Sequence, residues 1–266
     1  KRDGYGLNME LIRRAQEAGV DTIVTCDNGI AAPAEIVFAK EMGMTVIVTD
    51  HHELQETVPD ADVIVNPRQP DCPYPYKKLC GAAVAWKLVQ ELWAGCSCPP
   101  ELAFGDLLMF AAFATVGDVM DLTGENRILV KEGLKLLRQT EHPGMSALIQ
   151  VNELARDRLS AYHIGFVLGP CINASGRLDT AKRALSLLNT SDYDQALVQA
   201  AELKGLNDER KALTEEGVED AVEQIEEGPL KKDRVLVVYL PDCHESLAGI
   251  IAGRLRERYY RPVFVL

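Results

Sequence analysis

The sequence predicts an α/β protein built on a parallel sheet, and three observations carry that prediction. Two short β-branched runs, Asp21-Thr22-Ile23-Val24-Thr25 and Met44-Thr45-Val46-Ile47-Val48-Thr49, are joined by a helix-like stretch from Ala31 to Met42. A third run of the same kind, Asp62-Val63-Ile64-Val65-Asn66, follows. Runs that are apolar almost throughout, rather than alternating, read as strands covered on both faces. The third observation is where the polar residues fall: Cys26-Asp27-Asn28-Gly29 directly behind the first run and Asp50-His51-His52 directly behind the second. Ligands of open α/β sheets bind beyond the carboxyl ends of the strands, so Asp27, His51 and His52 are expected to face one crevice.

The remaining elements follow in chain order. Four prolines between Pro67 and Pro75 predict an irregular loop of restricted backbone. From Leu79 to Leu188 the pattern is mostly helical, and Gly81-Ala82-Ala83-Val84-Ala85 has the small residues that let a helix approach a sheet. Phe110 to Val116 reads as a buried helix whose end presents Gly117-Asp118-Val119-Met120-Asp121. The stretch from Asp192 to Glu227 reads as a helix interrupted at Gly205 and Gly217, its thin apolar stripe (Leu197, Leu203, Leu206, Leu213, Val218, Val222, Ile225) suiting a bridge between two domains. Gly228-Pro229 ends it. Arg234 to Leu240 opens a new strand, Ser246 to Glu257 follows as an amphipathic helix, and Val263 to Leu266 reads as part of an unfinished sheet.

Composition narrows the class. No run approaches the roughly 20 apolar residues of a membrane span, and no signal peptide is visible. Seven cysteines without a Cys-x-x-Cys pair point to reduced thiols in a cytoplasm, and Cys96-Ser97-Cys98 is too tight for a zinc site. A net charge of −12 argues against a nucleic-acid substrate, since phosphates are repelled. Much of the excess is local, however: seven carboxylates and no Lys or Arg lie between Thr214 and Gly228.

The candidate chemistry starts from Asp27, His51 and His52. A lone Asp after a strand is ordinarily a cap or turn former, but carboxylate and imidazole at two neighbouring strand ends supply the mixed O/N set that suits Mn²⁺ or a similar divalent ion. Asp118 is either a cap or a third ligand, because a buried carboxylate is costly without a cation or several donors. Asp121, nearer a polar turn, is the weaker candidate. Asn173, Ser175 and Arg177, behind Gly169-Pro170, suit a phosphate-binding loop or an ordinary loop with an Arg salt bridge. His244 and Arg254 flank a helix start crowded with small residues, which suits a phosphate or simply an amphipathic helix packed on its sheet.

Taken together, these motifs resemble the DHH phosphoesterase superfamily and, within it, the RecJ single-strand-specific DNA exonucleases. The resemblance rests on Gly4-Tyr5-Gly6, Thr25 to Ile30, Asp50-His51-His52, Asn66-Pro67-Arg68, Cys72 to Pro75, Ala114 to Met120, Gly169 to Leu178 and Gly249 to Leu255, in the family's order along the whole chain. Relatives carry an Asp-x-Asp motif upstream of the Gly-Tyr-Gly segment, which residues 1–20 do not contain, so the chain is expected to be a fragment. Its expected parts are a partial DHH domain over 1–190, a linker helix over 191–229 and the start of a DHH-associated substrate-binding domain over 230–266.

The resemblance implies a metal-dependent phosphodiesterase, a 5′-to-3′ exonuclease on single-stranded DNA acting in DNA repair and recombination. It implies two ions, Mn²⁺ or Mg²⁺, with Asp27 contributing to both and His51 and Asp118 each holding one. His52 would be a further ligand or face the scissile phosphate, and Asp50 would orient an imidazole. Asn173, Ser175, Arg177, His244 and Arg254 would contact the strand, and a single-strand-binding protein or a helicase would be natural partners. Relatives often have Arg where this chain has Cys171 and glycine where it has Ser246. The alternatives are a DHH hydrolase of short oligonucleotides or cyclic dinucleotides, and a non-catalytic replication scaffold. The fragment by itself is expected to be nearly inactive.

Overall fold

The computed structural model describes residues 6–95 and 104–266. Gly4, Tyr5 and the Cys96-Ser97-Cys98 segment lie outside the described residues. The chain forms two compact units, residues 1–140 with 159–165 and residues 141–158 with 166–266.

The first unit begins with α1 (Met9–Glu17), β1 (Thr22–Val24), α2 (Pro33–Glu41), β2 (Thr45–Thr49) and β3 (Val63–Val65). All three strands pair in parallel in the order β1-β2-β3, with Thr22 opposite Thr45 and Ile47 opposite Val63. Parallel pairing puts the carboxyl ends of the strands on one edge, so the segments after Val24, Thr49 and Val65 emerge side by side. Val46 and Val48 of the central strand are fully buried against Ile12 of α1 and Ile36 and Ala39 of α2. The burial of these aliphatic side chains, about 1.5–3 kcal/mol each, holds the layer together.

Three longer helices complete this part: α3 (Gly81–Gly95), α4 (Phe104–Gly117) and α5 (Gly124–Gln139). The proline-rich loop is tied to them by Tyr74, whose hydroxyl donates to Glu125 Oε2 at 2.8 Å, while Lys87 Nζ pairs with Glu125 Oε1 at 2.5 Å. Helix α6 (Pro143–Val151) belongs to the second unit and α7 (Ala161–His163) to the first. A π-helical turn (Ile164–Leu168) leads on to α8 (Gly169–Leu178), α9 (Lys182–Asn189), α10 (Tyr193–Glu227), β4 (Leu236–Val238), α11 (Glu245–Tyr259) and β5 (Val263–Val265). Strands β4 and β5 pair in parallel across α11, a βαβ unit.

Helix α10 differs from the sequence expectation in two ways. It runs unbroken for 35 residues through Gly205 and Gly217. Gly217 is a close crossing: a Cβ there would lie 2.6 Å from Ile251 Cδ1. Its buried face keeps Leu203 and Ile225 of the expected stripe and is otherwise made of Ala196, Ala200, Asn207, Thr214, Gly217 and Ala221, while Leu213 of the stripe is exposed. Small residues at helical spacing bury a face by letting neighbours come close. The helix packs on α6, α8 and α9 and then on β4 and α11, all within the second unit. Among the described residues, no helix is long and apolar enough to cross a membrane.

Candidate metal centre

The loop after β1 is shaped by two threonines. Thr25 Oγ1 donates to the Asn28 carbonyl at 2.6 Å, and Thr49 Oγ1 donates to the Thr25 carbonyl at 2.7 Å. Asp27, whose N–H donates to the Thr49 carbonyl at 3.0 Å, takes a left-handed φ of 63°. Asp is one of the few residues that tolerates that conformation. It turns the Asp27 carboxylate toward the start of α3, where Gly81 leaves room for it.

Beyond β2, the three residues of the Asp-His-His motif have separate environments. Asp50 is fully buried, and every one of its contacts is with a donor: Oδ2 accepts from Ile30 N–H at 3.0 Å, and Oδ1 from His51 N–H at 2.7 Å and His52 N–H at 3.2 Å. Burial alone would raise its pKa; these donors outweigh burial and hold the carboxyl below its usual range. His52 Nδ1 lies 2.7 Å from Asp50 Oδ1. An acceptor-only partner assigns the proton to Nδ1, which leaves Nε2 of the neutral ring with its lone pair outward. The His52 carbonyl in turn accepts from Asn66 Nδ2 at 3.0 Å, so the segment after β3 braces the motif.

His51 has no such support. Its side chain is 7% exposed, and neither ring nitrogen has a hydrogen bond of acceptable geometry. Two carboxylates nevertheless converge on Nε2, Asp27 Oδ1 at 3.0 Å and Asp118 Oδ2 at 3.5 Å. The Asp27 carboxylate pushes the imidazole pKa up; burial opposes it, and the charges of Asp118 and Asp50 add to it. Asp118 arrives from the C-terminal end of α4, its N–H donating to the Ala114 carbonyl at 2.8 Å. A carboxylate is disfavoured at that end of a helix unless a cation accompanies it.

A buried imidazole without hydrogen bonds, faced by two carboxylates, fits a divalent cation better than it fits a packed core. Asp27, His51 and His52 each offer one ligand atom, all within 4.8 Å of one another. Oxygen and imidazole ligands suit ions of the Mn²⁺ class. Asp121 stands apart: its Oδ2 is paired with Lys78 Nζ at 2.6 Å.

The second unit holds the residues expected to contact a strand, with corrections. Asn173, Ser175 and Arg177 lie on helix α8 and not on a loop; Pro170 follows closely on the π-helical turn Ile164–Leu168. Asn173 is exposed. Ser175 is fully buried with its hydroxyl donating to the Ile172 carbonyl at 2.9 Å, so it packs the helix and offers no contact outward. The free N–H groups expected at the start of α11 are partly taken: His244 caps the helix, Nδ1 accepting from Ser246 N–H at 3.3 Å, and the His244 carbonyl accepts from Leu247 N–H at 2.8 Å. Arg177 Nη1 donates to the Ser246 carbonyl at 3.1 Å and Ser246 Oγ to the Arg177 carbonyl at 3.2 Å, which joins the two expected sites into one.

Sequence reasoning missed Arg210, on α10. Burial, then the charges of Arg177 and Arg254, depress its pKa, which places three guanidinium groups in one neighbourhood. Among the described residues none of the three is paired with a carboxylate. Asn207 Oδ1 accepts from Arg210 Nε at 3.1 Å, and Asn207 Nδ2 reaches Cys171 Sγ at 3.6 Å. The only signal in the sequence was an Arg three residues after an Asn on the helix's narrow buried face.

The parallel sheet with its Asp50-His51-His52 motif at the carboxyl edge has counterparts among known proteins. Residues 4–112 match the model of the DHH family, N-terminal domain, a span that includes Asp27 and the Asp50-His51-His52 motif. More particularly, the chain is similar to RecJ. It is 39% identical to the single-stranded-DNA-specific exonuclease RecJ of Salmonella typhimurium over 98% of this chain and 47% of that protein. It matches a crystal structure of exonuclease RecJ bound to manganese with a TM-score of 0.85 and 35% identity, over 99% of this chain and 65% of that one. A crystal structure of RecJ from Thermus thermophilus in complex with Mn²⁺ matches with a TM-score of 0.81 and 34% identity, over 97% of this chain and 38% of that one. The chain thus spans less than half the length of the Salmonella relative.

Proposed function

We propose that this chain carries the metal-dependent part of a RecJ-type nuclease, which hydrolyses phosphodiester bonds in single-stranded DNA from the 5′ end in cytoplasmic repair and recombination. The observation that carries this reading is His51, a buried imidazole with no hydrogen bond, faced by Asp27 and Asp118. The similarity to RecJ exonucleases, including forms bound to manganese, supports it.

Asp27, His51 and Asp118 would hold a divalent ion, with His52 as a further ligand or as a contact to the scissile phosphate. Ions of the Mn²⁺ or Mg²⁺ class, two in the complete protein, supply a hydroxide-like nucleophile near neutral pH and stabilise charge on the phosphate when bound. Asp50 positions His52, fixing the ring and its tautomer so that Nε2 points out with a lone pair. In the second unit, Arg177, Arg210 and Arg254 offer guanidinium groups to strand phosphates; among the described residues none is paired with a carboxylate, so the donors not taken by Ser246 and Asn207 stay available.

The test is hydrolysis of a long 5′-phosphorylated single strand, a duplex and a dinucleotide by the full-length protein with Mn²⁺, beside its Asp27→Ala variant. Single-strand degradation abolished in the variant supports the reading. Retained turnover in the variant would overturn the metal-ligand assignment, and preference for the dinucleotide would move the protein to the small-substrate branch.

A further inference from the structure

The second unit has a groove of about 940 Å³ between the C-terminal half of α10 and the segment joining β4 to α11. The apolar surface of its floor comes from Leu213 and Leu230, which lie over Leu240 and Leu247, both buried in the core of this unit. Its rim is acidic, with Glu216, Asp220, Glu223 and Glu227 on α10 and Asp242 across from them.

The four rim residues of α10 are spaced by four, three and four positions, so they lie on one face and repel one another. Among the described residues none of the five rim carboxylates pairs with a Lys or Arg, and no cationic residue occurs between Ala212 and Leu230. The first half of the same helix is different: Asp208 pairs with Lys204 at 2.8 Å and with Lys211 at 3.1 Å, and Glu202 with Arg183 at 2.8 Å. At the C-terminal end of α10 Lys231 pairs with Glu226 at 2.6 Å, which leaves the rim carboxylates without a cation. Repulsion among the rim carboxylates thus calls for positive charge from outside, and the apolar floor calls for a side chain as well.

We infer that this groove docks a basic, amphipathic segment of a partner polypeptide, an apolar residue seated on Leu213 and Leu230 with Lys or Arg side chains against Glu216, Asp220, Glu223 and Glu227. A bare divalent ion would leave the floor uncovered. A DNA strand is excluded by its phosphates, which separates this surface from the arginine cluster of the same unit. The inference is independent of the proposed nuclease activity.

The experiment is fluorescence anisotropy of the chain with a labelled peptide of alternating Lys and Leu, beside a Lys/Ser peptide of equal charge and a Glu/Leu peptide. Saturable binding of the Lys/Leu peptide alone is expected. A variant carrying Glu216→Gln, Asp220→Asn, Glu223→Gln and Glu227→Gln should bind it at least about tenfold more weakly, since close charge pairs at an interface are worth at least that much. A variant with the same net charge, carrying Glu10→Gln, Glu209→Gln, Glu215→Gln and Glu219→Gln away from the groove, should bind like the parent. Both variants change only exposed side chains, and circular dichroism checks that they fold. Equal binding of the Lys/Ser peptide, equal loss in the two variants, or no saturable binding would overturn the inference.

Discussion

Gly81 lies directly beneath Asp27: a Cβ on Gly81 would fall 2.4 Å from Asp27 Oδ1 and 2.5 Å from its Cγ. The first residue of α3 is therefore part of the candidate metal centre without offering a ligand atom. Gly81→Ala should displace the Asp27 carboxylate and weaken Mn²⁺ binding by roughly 10–100-fold, the usual effect of disturbing a residue that supports a ligand. Gly95→Ala, with nothing within 4 Å of its Cβ, is the control and should leave binding unchanged. Isothermal titration with Mn²⁺ compares the two.

Asp50 should stabilise the fold in a pH-dependent way. Its carboxyl is held below the usual range in the folded protein, so its contribution is present above the carboxyl pKa of the unfolded chain and is lost as pH falls through the lower folded value. Asp50→Asn should cost about 1.5–3 kcal/mol near neutral pH, as expected for hydrogen bonds to a buried charge. It should also flatten the acid limb of stability. Urea unfolding across that limb measures both, and an unchanged limb would show that Asp50 is not its source.

The raised pKa of His51 has the opposite sign. In the metal-free protein the protonated imidazole contributes stability below the pKa of an unfolded histidine, and that contribution is lost as pH rises through the higher folded value. Ion binding requires the neutral ring, so Mn²⁺ affinity should rise with pH over the same window. Nitrogen-detected NMR of the imidazoles should find the His51 midpoint above the ordinary value, and Asp27→Asn should bring it down. A midpoint unmoved by Asp27→Asn would remove that carboxylate as its cause.

For the arginine cluster, Arg210→Gln should weaken single-stranded DNA binding uniformly across sequences. The slope of log affinity against log salt should fall by about 0.7, the value for one phosphate contact on a single strand. An unaltered slope would return Arg210 to bracing α10 through Asn207.

Much of the first unit was legible because short-range chemistry wrote it. The β-branched runs became β1, β2 and β3, and strand order places Asp27 and the Asp50-His51-His52 motif at one edge. Residue order singled out Asp118 only as a cap or a third ligand, and the fold brings its carboxylate to 3.5 Å from His51 Nε2. The second unit was less legible. Gly205 and Gly217 looked like breaks in α10 because propensity is local, whereas packing against α11 decides the matter at Gly217.

What the sequence determined by itself is the set of elements and the identity of the ionisable groups, because periodicity and side-chain type are properties of neighbours along the chain. Only the tertiary structure decided how those groups are used. It joined Arg177 to Ser246, 69 residues away, added Arg210 to the same neighbourhood, buried Ser175 and gave four carboxylates of α10 a groove. It also separated the two histidines of one motif, tying His52 to Asp50 and leaving His51 with bare ring nitrogens between two carboxylates. Those outcomes depend on distances between segments far apart in the chain, set by which apolar faces bury against each other.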